Sequence, residues 1–122
     1  NYGWDVSSYG IEYNGTDPYK KSHADHGFVE PFKYYVPSIG ISQLVYIPNQ
    51  FSLDNKKYLF VSSLRAGSVY VIKIDEKFNK VLDEDRIYFQ KRIRDIEYDI
   101  ENDLFFLLFE NTPSMGVLKL KN

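Results

Sequence analysis

The stretch Gln90-Lys91-Arg92-Ile93-Arg94-Asp95-Ile96 holds the residues of this chain best suited to chemistry. On an extended segment side chains alternate, so Arg92 and Arg94 share one face while Ile93 points to the other. Each guanidinium is a rigid, permanently charged fork of donors matched to a carboxylate or phosphate. Two of them on one face make an anion-gripping edge. The same spacing also describes a solvated cationic strand end in which Arg94 is paired with a nearby acid. Other candidates carry less. His23 and His26 stand at H-x-x-H spacing in a polar loop, and without further ligands they do not make a metal site. Asp83-Glu84-Asp85 reads as a solvated turn, not as a metal site or a catalytic carboxylate pair. The chain has no Gly-rich phosphate loop, no Ser-His-Asp arrangement and no zinc signature.

The elements that must position these side chains are strands. Gln43 to Ile47 is an apolar run that Pro48-Asn49 ends, and Lys57 to Ser62 follows the polar turn Asp54-Asn55-Lys56. Ser68 to Ile74 comes after a turn holding Ala66-Gly67. Val81 to Gln90 supplies another strand around Arg86-Ile87-Tyr88-Phe89, followed by Arg94 to Tyr98, Leu104 to Phe109 and Gly116 to Lys121. Residues 1 to about 38 are rich in Gly, Tyr, Pro and polar groups, with short extended pieces expected at Gly3 to Ser7 and around Tyr34-Tyr35. No amphipathic helix stands out.

Composition agrees with a sheet protein. Aromatics make up 17% of the 122 residues, with eleven Tyr and nine Phe, a bias that favours strands. Hydrophobic content of 43% against 26% charged is that of a folded globule. A net charge of −2 gives no electrostatic case for nucleic acid or an acidic membrane surface. With no cysteine, disulfides and thiolate metal sites are excluded. No run approaches the ~18 apolar residues that span a bilayer, and no signal peptide is visible. The chain opens on Asn1 in what reads as the inside of an element, as expected of a piece of something longer or a processed product. Asn14-Gly15-Thr16 fits a glycosylation sequon, which matters only in a secretory eukaryotic setting.

A repeat is visible. Asn55 to Val61 leads through a turn to Val71-Ile72-Lys73-Ile74, and Asn102 to Leu108 leads through a turn to Val117-Leu118-Lys119-Leu120, with Ile72 and Leu118 offset by 46 residues. Periods of ~40–50 residues with about four strands per unit mark propeller blades; a generic β-meander would also produce similar hairpins. The isolated Trp4-Asp5 dipeptide does not make this a WD40 repeat. The expected fold is all-β, with antiparallel sheets forming about two blades. Residues 1–40 would be a loop-rich segment with short strands, 41–91 one blade and 92–122 most of another. Repeat arrays generally need three or more units to bury their faces, so a homo-oligomer through exposed blade faces or edges is expected.

Four local matches now acquire a common meaning. Asn1-Tyr2-Gly3-Trp4 with Tyr9-Gly10 and Tyr13, Pro31 through Ser42, Leu59-Phe60-Val61-Ser62-Ser63-Leu64-Arg65, and Arg92-Ile93-Arg94-Asp95-Ile96 lie in an order and spacing that cover essentially the whole chain. Together they resemble the soluble pyrroloquinoline-quinone-dependent glucose/sorbosone dehydrogenases, which are six-bladed propellers. The resemblance implies that Arg65, Arg92 and Arg94 hold the cofactor's carboxylates and quinone oxygens, and that Tyr35 borders the sugar substrate or packs within its loop. It implies calcium in the parent protein, with no ligands in this chain, and a periplasmic or secreted parent. The family's general base is a His in an early blade, and no position here matches it. The function so implied is part of an aldose dehydrogenase acting at C1, inactive as this segment alone. The alternatives are a non-catalytic propeller-type module that binds carbohydrate or protein, and an independent small β domain that shares blade sequence.

Overall fold

The computed structural model describes residues 1–52 and 54–121 and divides them into two compact units, Asn1–Ile39 and Gly40–Asn122. Leu53 and Asn122 lie outside the described residues.

The first unit holds no strand; a single bridge joins Ser7 to Lys20, and one short 3-10 turn covers Ala24–His26. Of the extended pieces expected there, Gly3 to Ser7 is a turn, and Tyr34-Tyr35 is not part of a strand. The Gly3 carbonyl instead accepts from the amides of Val6 and Ser7 at 2.7 and 2.8 Å, which closes the segment into a turn. Side chains hold what backbone ladders do not. Tyr9 stacks on Tyr34 with ring centroids 4.1 Å apart and donates from its hydroxyl to Glu30 at 2.8 Å. His23, expected in a polar loop, is buried against Ser7, with its Nδ1 2.8 Å from the Ser7 hydroxyl. Gly3 is required there, because at φ +83° an L side chain is strained and its Cβ would collide with the Ser7 Oγ.

The second unit is two antiparallel sheets in consecutive strand order. β1 (Ile41–Ile47), β2 (Lys57–Ser63), β3 (Ser68–Ile74) and β4 (Val81–Tyr88) form the first; β5 (Ile93–Asp99), β6 (Leu104–Phe109) and β7 (Ser114–Leu118) form the second. Most strands fall where the apolar runs put them, and β3 and β6 match to the residue. β7 starts earlier than expected, because Ser114 pairs with Phe109 and Met115 with Leu108. Asp83, Glu84 and Asp85 are not in a turn. They pair with Lys73, Ile72 and Val71 as part of β4, where charge on an exposed edge opposes further strand addition.

One core joins the sheets. Ile47, Phe60 and Val69 from the first meet Ile93, Ile96, Phe105, Leu107 and Phe109 from the second. Phe60 and Phe105 cross edge to face at 4.9 Å. Tyr98 lies tilted against Phe105, also at 4.9 Å. The loop from Asp99 to Asp103 is shaped by Asp99, whose carboxylate accepts from the Glu101 and Asn102 amides at 2.9 and 3.3 Å.

Candidate functional site

Three connections meet at one rim of the second unit: the β2–β3 turn, the β4–β5 link and the residues just after β6. Each is fixed locally. The Ser63 hydroxyl donates across the β2–β3 turn to the Ser68 carbonyl at 2.8 Å and accepts from the Ser68 amide at 3.2 Å. Arg86 braces the same turn, donating from Nε to the Ser68 hydroxyl at 2.7 Å and from a terminal nitrogen to the Ala66 carbonyl at 2.8 Å. Gly67, at φ +58°, accepts at its carbonyl from the Phe89 amide at 3.0 Å. A Cβ on Gly67 would sit 3.3 Å from both the nitrogen and the oxygen of Lys91. The missing side chain is what lets the two connections touch.

The β4–β5 link then turns at Gln90, which has φ +57°, and delivers Lys91 and Arg92 to the rim. In β5 the register slips between Ile93 and Asp95. The extra residue of that bulge is Arg94, and the slip has two consequences. Ile93 and Ile96, three apart, both reach the core and are fully buried. Arg94 comes round to the carboxylate that Arg92 also binds.

That carboxylate is Glu110. It accepts from Arg92 Nε in a short contact and from an Arg94 terminal nitrogen at 3.1 Å, while its own amide donates to the Arg92 carbonyl at 2.9 Å. The Arg92 hydrogen bond, with the charges of Arg92 and Arg94, holds its carboxyl below the ordinary glutamate value.

Arg65, Gly67, Tyr88, Lys91, Arg92 and Asn111 line a cavity of about 150 Å³ at this rim. Arg86 lies over the Tyr88 ring at 4.8 Å, and Lys91 over Phe109 at 5.1 Å. The cavity is smaller than the ~300–1,000 Å³ of typical small-molecule sites. Arg65, Lys91 and Arg92 stand at the cavity, and Arg94 shares Glu110 with Arg92 beside it.

Of the residues singled out from sequence, Arg65 and Arg92 line one cavity and Arg94 joins Arg92 through Glu110. Tyr35 belongs to the first unit, where it is half-buried with Lys33 Nζ 4.9 Å from its ring centre. Sequence reasoning named Lys91 without giving it a role and missed Glu110, Asn111 and the bracing Arg86. The signal for Glu110 was weak, an acid closing an apolar strand. Among the described residues no group of three or more His, Cys, Asp or Glu could hold a metal, and no helix is long and apolar enough to cross a membrane.

Comparison with known proteins gives this geometry relatives. The family model described as glucose/sorbosone dehydrogenase matches residues 1–116. The chain is 25% identical over 115 residues to the uncharacterized protein slr1608 of Synechocystis sp., covering 94% of this chain and 28% of that one. It is 27% identical over 125 residues to the aldose sugar dehydrogenase YliI of Escherichia coli, covering 100% of this chain and 33% of the relative. A crystal structure of glucose dehydrogenase superposes with a TM-score of 0.79 at 25% identity, over 100% of this chain and 35% of that one. The chain thus spans about a third of the length of the proteins it matches.

Proposed function

The chain belongs to the glucose/sorbosone dehydrogenase family, its two sheets corresponding to propeller blades, and on that premise we propose that it forms part of an enzyme oxidising an aldose at C1, with pyrroloquinoline quinone as electron acceptor. The observation that carries this reading is the meeting of Arg65 and Arg92 at one cavity, with Arg94 tied in through Glu110. The donor set fits the group. A planar cofactor bearing three carboxylates needs several fixed cations, and guanidiniums offer paired donors to each carboxylate. Arg65, Arg92 and Arg94 would hold it, and Lys91 adds a fourth positive charge beside them.

The bound quinone would supply a two-electron acceptor. The contribution of this chain is binding and orientation. Glu110 fixes the planes of Arg92 and Arg94, so their remaining N–H groups are presented to the anion in a set direction. The aromatic face of Tyr35 would border the sugar. No residue of this chain is assigned the proton from the C1 hydroxyl, and none is assigned to calcium. The 122-residue chain alone is therefore expected to bind the quinone without turning over glucose. The parent enzyme would work in the periplasm or outside the cell.

Titration of the quinone into the wild-type chain and Arg94→Ala, followed by absorbance, tests the assignment. Loss of a charge-assisted contact is expected to weaken binding roughly tenfold or more. No quinone binding by the wild type, or equal binding by the variant, would overturn it. Dye reduction with quinone, calcium and glucose would contradict the absence of a proton acceptor. The small cavity favours one other function, a non-catalytic module that docks carbohydrate or protein at this rim. Under it the quinone has no Arg94-dependent affinity.

We also propose self-association. On the outer face of the second sheet Leu108 pairs with Met115 and Phe106 with Val117, and Met115 and Val117 are 69% and 59% exposed. A continuous apolar ladder of this kind favours burial against a second copy.

A further inference from the structure

We infer that Ser42 is a positioning residue for the arginine pair, acting across the two sheets through the carbonyl of Ile93. Its hydroxyl lies 2.6 Å from the Ile93 oxygen and 2.8 Å from the Ser62 hydroxyl. A carbonyl oxygen only accepts, so the single Ser42 proton goes to Ile93. Ser62, which has no solvent exposure, then has two acceptors in reach, the Ser42 hydroxyl at 2.8 Å and the Gln43 carbonyl at 3.4 Å, and the shorter contact makes Ser42 its main partner. The main direction therefore runs from Ser62 to Ser42 to the Ile93 carbonyl. Each bond in such a chain polarises the next and strengthens it.

The place where this relay ends gives it meaning. The Ile93 carbonyl belongs to the peptide leading into Arg94, inside the β5 bulge. Ser42 itself sits at the β1 bulge, between Ile41 and Gln43. Two irregularities in different sheets therefore face each other, joined by one hydroxyl. On the other side the preceding carbonyl, that of Arg92, accepts from the Glu110 amide at 2.9 Å. The Arg92–Arg94 backbone is thus held by the second sheet at one peptide and by the first sheet at the next. Buried polar groups without such partners are costly, so the bulge keeps its shape only while Ser42 answers it. Ser42 sets where two guanidiniums point.

This inference rests on the cofactor reading for its functional consequence but not for its structural one, and the two are separable. Side-chain NMR of the arginine Nε–H groups in Ser42→Ala is expected to show increased mobility at Arg94, with Ser42→Thr, which keeps the hydroxyl, close to wild type. Quinone titration of Ser42→Ala is expected to show about a fivefold loss of affinity, of the order that one neutral hydrogen bond supports. In an Arg94→Ala background the same substitution is expected to have a smaller further effect, because a large part of its route runs through that arginine. A general loss of structure would instead weaken binding equally in both backgrounds. Equal losses, or an unchanged Arg94 signal in Ser42→Ala, would overturn the inference. Ser62→Ala, which removes only the outer link, serves if Ser42→Ala does not fold, and is expected to give a smaller loss with the same non-additivity. A wild-type chain that binds no quinone would remove the cofactor reading, and the NMR comparison would still decide the role of Ser42.

Discussion

Replacing Gly67 by Ala tests the joint between fold and site most directly. Gly67 has φ +58°, a conformation that costs an L-residue roughly 1–2 kcal/mol. The new methyl would also press on the nitrogen and oxygen of Lys91, each 3.3 Å from the built Cβ. Those are backbone atoms and cannot rotate away. With a urea dependence of about 1.5 kcal/mol per molar, the strain alone moves the unfolding midpoint down by about 1 M. Gly67→Asn separates the two causes, since Asn tolerates the left-handed conformation but carries the same Cβ. The expected order of midpoints is Gly, then Asn, then Ala. Both variants are expected to weaken quinone binding, because both push the β2–β3 turn away from Lys91 and so part Arg65 from Arg92. A midpoint for Gly67→Ala equal to or above wild type would refute the argument that this close approach builds the rim.

Three further outcomes are expected. Phe105→Ala removes the ring that meets both Phe60 and Tyr98 in the core between the sheets, at an expected cost of about 3–5 kcal/mol in chemical denaturation; a loss under 1 kcal/mol would mean the sheets do not depend on that contact. Asp54 has its carboxyl lowered to about 2, chiefly by its hydrogen bond from Lys73. The folded value lies below the ordinary one, so the stability the pair contributes is complete above pH ~4 and is lost as pH falls toward ~2. Midpoints measured between pH 2 and 7 are expected to fall less steeply for Asp54→Asn than for wild type in that window. Val117→Lys, on the exposed ladder of the second sheet, is expected to shift sedimentation at micromolar concentration toward monomer. A wild-type chain already monomeric there would exclude self-association through this face.

The positions of most strands were legible without any structure. Apolar runs such as Ser68 to Ile74 and Leu104 to Phe109, closed by turn residues, leave little choice of element, because burial and backbone pairing act on neighbours in sequence. Arg92-Ile93-Arg94 pointed to carboxylate pairing because guanidinium geometry belongs to the residue itself, and the carboxylate the structure shows there is Glu110. The first unit was harder to read, since its Gly- and Tyr-rich segments are closed by long-range side-chain bonds such as Ser7 to His23 rather than by ladders. Asp83 to Asp85 looked like a turn because edge strands carry charge to resist pairing, and composition alone cannot tell an edge from a loop.

What tertiary structure alone decided is which atoms meet. Alternation predicts the faces of a regular strand, but the β5 bulge resets the count after Ile93, and a bulge depends on the partner strand. Glu110 became the ligand of two arginines because β6 returns beside β5, and Ser42 reached the Ile93 carbonyl because one sheet lies against the other. Those pairings are set by packing between distant segments. Residue types fixed the charge available to this chain, and the fold fixed where that charge converges.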